Sequence, residues 1–458
     1  MKEKRQGLTL VSKDMTFVST PAEENASAQK MDAALYPVRH LPKVGEAADW
    51  SRIELSFIFM RDPVRDDPFE DTFTDNHSPD YHRRTANLDH IFSSAKLVFD
   101  CQHRTHLFTI IIFGEMARIA RWDRAGVLIT EKFNYKARPH VLGRFLFCFS
   151  RLDPVARGHD PTAIRIEPGT KEYKLMNSRA VRPLLRNGRA VQEDARTAFA
   201  RDVARGRRRW KLTVNTEDRA RCFLVGRPNF ASPKLIGRGT RGYIAIDVED
   251  EDGPFVYLKD TWRIDYGGVK QEGAILEKLN AADVPSIPHL VCHGDVPQQA
   301  TISKHIWFKQ KSGEEGDGQH IVEDDPDPKD EDKNSNTDET SNMAVDEKAL
   351  SSGHSTVSAA QPTMSEDGSL SEPHTAEWNS DTESAVSSEY DATDGGPDQL
   401  PDADEEERCP LKSHKHYRMV VKEVAKPLST FKNGRELVMI LIHVLYGTPL
   451  PSCLSDAL

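Results

Sequence analysis

Three glycines near the middle of the sequence could bring a loop close to phosphate groups. Gly237, Gly239 and Gly242 form a Gly-x-Gly-x-x-Gly pattern between two apolar runs. Because glycine has no side chain, the backbone N–H groups of such a loop can approach an anion closely. The pattern alone also occurs in tight turns and in dinucleotide-binding folds, where a helix follows it. Here the next residues, 243–248, are alternating and β-branched, which predicts a glycine loop between two strands.

A lysine and a glutamate follow the loop in the order that a nucleotide site requires. Lys259 lies 17 residues after Gly242, at the end of a predicted strand, and Glu272 lies 13 residues further on, in a helix predicted over 271–280. In protein kinases the lysine contacts the α- and β-phosphates, and the glutamate holds that lysine through an ion pair. Either residue alone would more often be an ordinary surface charge, and Glu277 is a rival on the same helix. Taken with the loop, they predict the amino-terminal lobe of a kinase, an antiparallel sheet plus one helix, with Lys259 and Glu272 as catalytic residues.

The elements before this lobe predict a small α+β domain over residues 49–165. Its apolar pattern indicates a strand, an amphipathic helix, a buried strand, a hairpin and a second helix, at 53–59, 86–101, 107–113, 117–133 and 139–152. The same order occurs in restriction-nuclease-like folds, whose carboxylates and lysine bind magnesium. Those ligands are missing from the strand that ends near Met60, so we expect a structural domain.

The segments outside these two domains are polar. Residues 1–48 show no sustained apolar period and are expected to form a disordered leader. Residues 166–208 are rich in arginine and are expected to be a connector with one helix near 190–205. The run Arg205-Gly-Arg-Arg-Arg209 could be a nuclear-import or nucleic-acid patch. No aromatic stacking platform accompanies this charge, which favours a connector and argues against a nucleic-acid partner.

A long acidic insert interrupts the predicted lobe. The 458 residues are 38% hydrophobic and 29% charged, with a net charge of −11. Residues 313–407 alone hold 29 Asp and Glu against 3 Lys, so the rest of the chain carries +15. Such a segment cannot bury enough apolar surface to offset the entropy of ordering it, and we expect it to be disordered. The lobe then spans 209–312 and 408–446, followed by an irregular tail at 447–458.

The cysteines and the hydropathy of the sequence indicate where in the cell the protein is expected. Six cysteines without a Cys-x-x-Cys pair argue against both a zinc site and a disulfide framework. No run approaches the roughly 20 apolar residues that cross a bilayer, and no signal-peptide pattern is present. We expect an intracellular protein, cytoplasmic or nuclear, that is neither secreted nor membrane-spanning.

Several strings of the sequence resemble the fungal-type protein kinase family. They are Asp49-Trp-Ser51, Arg104-Thr-His-Leu-Phe108, Arg121-Trp-Asp-Arg-Ala-Gly126, Phe223-Leu-Val-Gly-Arg-Pro228, Leu258-Lys-Asp-Thr-Trp-Arg263 and Leu290-Val-Cys-His-Gly-Asp295, together with the glycine loop, 272–279 and 417–428. The resemblance implies ATP-dependent phosphorylation of Ser or Thr, with ATP and a protein substrate as partners. It also implies which residues contact the nucleotide: Gly237, Gly239, Gly242, Lys259 and Glu272, with Lys422, Glu423 and Val424 as the hinge that binds adenine through its backbone.

Departures from the family pattern concern the second half of a kinase. A catalytic loop reads His-Arg-Asp with Asn five residues after the Asp, and Asp-Phe-Gly holds magnesium. Neither triplet occurs, and the nearest string, His293-Gly-Asp295, comes soon after the helix of Glu272 and has Ala300 where Asn is required. Only 17 residues follow Leu441. We therefore expect a truncated kinase, or pseudokinase, that is inactive alone, has no metal-binding residues and uses Mg²⁺ only if the missing lobe is present. The alternative is a non-catalytic regulatory or scaffold fragment that keeps a nucleotide-like lobe.

Overall fold

The structure is a computed structural model that describes residues 15–19, 32–42, 48–69, 79–187, 189–311 and 411–446. Within these residues there are seven α-helices and 17 β-strands, and the strands form two large sheets and one small hairpin. The expected α+β class is therefore confirmed.

The first sheet has seven strands. They are β1 (Met15–Ser19), β2 (Ala33–Pro37), β3 (Leu55–Met60), β4 (Leu107–Phe113), β5 (Met116–Trp122), β6 (Val127–Ile129) and β7 (Phe133–Asn134). Strands β1 to β6 lie side by side in chain order, and β7 pairs with β5. Only β3 and β4 pair in parallel in this sheet, because α1 (Tyr81–Cys101) connects them as a crossover.

Helices cover both faces of the first sheet. Along β4, Ile111 packs with Phe99 of α1, whereas its neighbour Ile110 packs with Phe149 of α2 (Pro139–Arg151). Successive side chains of a strand point to opposite faces, so a strand between two helix layers is apolar throughout. The buried strand and the second helix that the sequence predicts are confirmed.

The disordered leader expected at residues 1–48 is wrong for the part that the structure describes. Strand β1 pairs with β2, and β2 pairs with β3, so both belong to the first sheet. Met15, Ala33 and Leu35 are buried in the cluster beneath α2. Each strand has only five residues and finds its partner further along the chain, so no local period marks it.

The second sheet has eight strands and is antiparallel throughout. They are β8 (Ala163–Arg165), β11 (Trp210–Asn215), β12 (Ala220–Val225), β13 (Phe230–Ala231), β14 (Arg241–Asp247), β15 (Val256–Ile264), β16 (Leu290–Ala300) and β17 (His414–Val421). Their order is β16-β17-β15-β14-β12-β11-β8, with β13 beside β14. The glycine loop thus leads into a strand, as the sequence predicts.

Residues 166–208 do more than connect the two sheets. They form α3 (Lys171–Val181), the hairpin of β9 (Leu184–Arg186) and β10 (Arg189–Val191), and α4 (Glu193–Asp202). Met176 and Phe199 of the two helices are buried against Ile244 and Ile246 of β14. The connector expectation is corrected here, because this segment covers one face of the second sheet. Arg209 is also buried, stacked over Tyr173 at 3.8 Å.

Three further helices are α5 (Glu272–Ala281), which packs beside β16, α6 (Ser303–Lys311), which follows β16, and α7 (Gly434–Tyr446), which follows β17 in the chain. The acidic insert expected at 313–407 and the tail at 447–458 lie outside the described residues. Strands β16 and β17, which precede and follow that segment, pair directly. Their ends meet where the Thr301 N–H donates to the His414 carbonyl at 2.9 Å.

Candidate nucleotide-binding site

The structure brings Lys259 and Glu272 together. Lys259 lies in β15, and its Nζ donates to Glu272 Oε2 of α5 at 2.6 Å. The lysine side chain is 22% exposed and the glutamate 44% exposed, so the pair lies at an open surface. The rival Glu277 lies further along α5, and Glu272 is the partner that Lys259 contacts. Their role toward a nucleotide remains a prediction.

Three side chains hold the first turn of α5, and therefore Glu272, in place. The Tyr417 hydroxyl accepts a hydrogen bond from the Gly273 N–H at 2.8 Å, one of the N-terminal donors that a helix cannot satisfy itself. A side chain at Gly273 would collide with the His293 ring, so only glycine permits this approach. Asp295 accepts from the Gln271 side chain at 3.0 Å, just before the helix begins.

Each of the three glycines has a structural reason to be glycine. Gly237 and Gly239 have φ of +100° and +49°, in the left-handed region that favours glycine. Gly242 lies in β14 opposite Lys259, and a Cβ there would collide with the Tyr257 hydroxyl. The loop N–H of Gly237 donates to the Arg124 carbonyl at 2.7 Å, so this group is already engaged within the protein.

The predicted hinge follows β17 directly, and part of its backbone is engaged. The Lys422 N–H donates to the His289 carbonyl at 2.9 Å. The Glu423 carboxylate accepts from the His289 N–H and contacts its ring Nδ1, at 2.8 and 2.7 Å. Val424 packs against the cluster of α3 and α4. In the predicted hinge, the Lys422 carbonyl and the backbone of Glu423 and Val424 are the groups left for a base, and their contact with one stays a prediction.

Tyr257 belongs to the same surface and was missed by the sequence reasoning. It lies two residues before Lys259, on the same face of β15, between Ile244 of β14 and Val421 of β17. Its ring packs beside Met419, and burial raises the pKa of its hydroxyl. The strand period alone places Tyr257 on the face of Lys259, and this was the available signal.

The opposite face of β15 carries a buried ionic cluster. Asp260 Oδ1 lies 2.9 Å from Arg418 Nε and 2.6 Å from His416 Nε2, and Arg418 also reaches Asp160 at 2.5 Å. Burial opposes ionisation of Asp260, but His416 and Arg418 outweigh it and hold its pKa well below the usual range. His103 lies 3.6 Å from Asp260. The cluster joins the first domain to the second sheet.

Residues 73–448 match the sequence model of the family described as fungal protein kinase. The match covers most of the chain, which belongs to this family. No curated protein and no solved structure matches the chain.

Two further observations concern metal ions and membranes. Among the described residues, no group of three or more His, Cys, Asp or Glu side chains is placed to hold a metal ion. None of the helices in the described ranges combines the length and the apolar character that a bilayer crossing requires.

Proposed function

We propose that the second sheet and α5 bind ATP, in the way the fungal protein kinase family implies. The observation that carries the proposal is the 2.6 Å ion pair of Lys259 and Glu272. Gly242 of β14 lies directly opposite Lys259 of β15, so the pair is next to the glycine loop. A charged, partly exposed lysine beside a glycine-rich loop suits the phosphates of a nucleotide. The fixed first turn of α5 supports this reading, because it keeps Glu272 beside Lys259.

Each residue of the site has a distinct role in this proposal. Lys259 Nζ contacts the α- and β-phosphates, and Glu272 orients it. Gly237, Gly239 and Gly242 keep the loop free of side chains that would block the phosphates. The base lies toward Glu423 and Val424, since the Lys422 N–H is already bonded to His289. Tyr257 lies between the loop and the hinge and limits the space for the base.

The family activity, ATP-dependent phosphorylation of Ser or Thr in proteins, requires more than these residues. Metal ions neutralise the developing charge on the phosphoryl group, and a carboxylate positions the acceptor hydroxyl. The 458 residues contain neither a His-Arg-Asp nor an Asp-Phe-Gly triplet. Asp295 does not substitute for them, because Arg263 binds both its oxygens at 2.7 and 2.6 Å. Within the described ranges, no cluster of carboxylates fits a magnesium site, and we propose that these 458 residues alone bind ATP without transferring phosphate.

A regulatory or scaffold role is the second candidate, and the surface of α7 favours it. Val438, Leu441 and Ile442 are 53%, 45% and 37% exposed. Clustered apolar side chains on a helix surface are typical of docking to another protein. On the same helix, Leu437 and Ile440 are half-buried, and the side chain of Leu445 lies outside the described part.

Titration of a fluorescent ATP analogue, trinitrophenyl-ATP, tests the proposal with and without Mg²⁺. We expect Lys259→Met to weaken binding at least about tenfold, the size expected when a charged hydrogen-bond donor to phosphate is lost. Glu272→Ala should also weaken binding, because Lys259 then loses the partner that orients it. Lys278→Met is the matched control, since Lys278 is exposed on α5 and its substitution should leave affinity unchanged. Binding that is equal in wild type and Lys259→Met would contradict the proposal.

Phosphate transfer is measured separately, by autophosphorylation and on a generic protein substrate. We expect none from the 458-residue protein. Transfer by the wild type that is lost in Lys259→Met would show that the chain is an active kinase by itself. This result would refute the proposal that these 458 residues do not transfer phosphate.

A further inference from the structure

The turn between β5 and β6 of the first domain reaches the back of the glycine loop. In this turn, Arg124 Nη1 donates to the Leu235 carbonyl at 2.7 Å. The Arg124 carbonyl accepts from the Gly237 N–H, also at 2.7 Å. A Cβ at Gly239 would lie 2.6 Å from Arg124 Cζ, so the guanidinium lies directly against the loop backbone. One residue of the first domain thus contacts the loop at three successive points.

The environment of Arg124 is unusual for a charged side chain. Arg124 is buried, with its guanidinium 4.5 Å from the centre of the Phe99 ring. Burial, together with the nearby charge of Arg241, lowers the pKa of Arg124 to about 9. Burying a guanidinium costs free energy unless it is bonded, and here Nη1 donates to a backbone carbonyl and the group lies over an aromatic face, while the buried Nε has no hydrogen-bond partner among the described residues. This position is therefore built for the glycine loop rather than for solvent.

The same turn also contacts the residues that follow β16 and those that precede β17. Asp123 Oδ2 accepts from the Ile302 and Ser303 N–H groups at 3.1 and 3.2 Å, where α6 begins. A Cβ at Gly126 would lie 2.9 Å from the Leu411 side chain. The turn therefore contacts residues on both sides of the segment 312–410, and these contacts fix the position of the Arg124 backbone.

We propose that Arg124 is a positioning residue, which holds the glycine loop where it can cover the phosphates of a nucleotide. The proposal rests on the proposed ATP binding at Lys259 and goes beyond it, because it makes the first domain part of the nucleotide site. A loop with two glycines at positive φ has little stiffness of its own. The contacts of Arg124, which come from the first domain, restrict the loop instead. By linkage, nucleotide binding and the contact between the domains then strengthen each other.

The first test compares Arg124→Ala and Arg124→Lys with Arg157→Ala in the full chain. Arg157 is the matched control, because it also lies near a ring, Phe149, and donates to backbone carbonyls in the first domain, away from the loop. We expect trinitrophenyl-ATP to bind about tenfold more weakly to Arg124→Ala. Arg124→Lys should be intermediate, since lysine keeps one donor but loses the planar group. Arg157→Ala should bind as wild type does, even where it is less stable.

Hydrogen exchange of residues 235–241 gives a readout that needs no nucleotide. We expect faster exchange in Arg124→Ala, and in Arg124→Lys to a smaller extent, than in Arg157→Ala. If wild type and Lys259→Met both fail to bind the analogue, the proposed function fails, and hydrogen exchange alone decides the role of Arg124. Equal exchange in the Arg124 and Arg157 variants would overturn the positioning role, whatever the affinity. Should Arg124→Ala not fold, Arg124→Lys carries the same comparison.

Discussion

At the scale of single residues, Tyr257 and Lys259 occupy one face of β15 and act on different parts of the proposed site. Lys259 is held by Glu272 at the open end. Tyr257 packs between Gly242 and β17, the strand that leads to the predicted hinge. Because this tyrosine is large and partly buried, we propose that it limits the volume available to a base, and that the lysine sets the position of the phosphates.

We predict that Tyr257→Ala enlarges the space for the base. The variant should bind an ATP derivative with a benzyl group on the adenine amine better than wild type does, relative to ATP. Tyr257→Phe keeps the ring and should behave as wild type. Competition against trinitrophenyl-ATP measures both ratios. An unchanged ratio in Tyr257→Ala would show that the ring does not border the base.

At the scale of elements, α5 is positioned by strands rather than by its own capping residue. Its preceding residue, Gln271, makes no side-chain cap to the helix. Instead, Tyr417 of β17 accepts from the Gly273 N–H, and Asp295 of β16 contacts Gln271. The position of Glu272 therefore depends on strands from both sides of residues 312–410.

We predict that Tyr417→Phe lowers the free energy of unfolding by about 1 kcal/mol, the usual cost of losing a helix N-terminal hydrogen bond. Trinitrophenyl-ATP should also bind severalfold more weakly, because Glu272 loses its fixed position. Tyr266→Phe is the control, since Tyr266 is 67% exposed. Urea unfolding measures both variants. Equal stability of the two would exclude a role for this hydrogen bond.

The sequence predicts an element correctly when the apolar period lies within that element's own residues. The prediction fails where the buried side chains are polar or where the pairing strand is distant in the chain. The apolar strand β4 and the helix α2 are both predicted from their own residues. Helix α3 is missed, because one of its three buried residues, Arg179, is charged and only Met176 and Ala180 are apolar. The cluster around Asp260 is also missed, since hydropathy cannot mark charged residues that are buried only because they pair with each other. Hydropathy likewise did not indicate that Arg124 is buried, although residues 121–126 are among the strings that resemble the family.

At the scale of the whole molecule, two sheets share a buried polar interface, and a long acidic segment leaves from one of them. His103 and Asp160 of the first domain meet Asp260 and Arg418 of the second sheet. Charged groups buried in this way stabilise a single arrangement only while each remains paired. The interface and the acidic segment therefore give separate tests of how the chain folds.

We predict that the acidic segment is dispensable for folding. Replacing residues 313–407 with a Gly/Ser linker of about 24 residues halves the loop length twice, which should raise stability by about 1 kcal/mol at most. A linker that replaces 313–413 is the control, because it also removes Leu411, which is buried against the turn at Gly126. That control should be less stable. A large loss of thermal stability in the first variant would show that the segment packs on the folded domains.

The interface also predicts a loss of stability in mild acid. Burial, and to a smaller extent the charge of Arg241, lower the pKa of His103 to about 3, while the nearby Asp260 and Asp160 raise it and Arg418 lowers it. An unfolded histidine titrates near 6.5, so between roughly pH 6.5 and 3 the unfolded chain binds a proton that the folded chain does not. The free energy of unfolding therefore falls as the pH decreases through this window, by up to about 1.4 kcal/mol per unit. Asp160 and Asp260 have lowered pKa values and add their own losses only at lower pH.

Urea unfolding at pH 7, 6 and 5 tests this with His103→Gln. The variant should be less stable than wild type at pH 7, because the His103 ring contacts Trp210 at 4.7 Å. Between pH 7 and 5, however, it should lose about 2 kcal/mol less than wild type, since one titrating group has been removed. Other histidines with lowered pKa values, His106 among them, titrate in both proteins and cancel in the comparison. Equal losses in wild type and variant would show that His103 is not the group that makes the interface acid-sensitive.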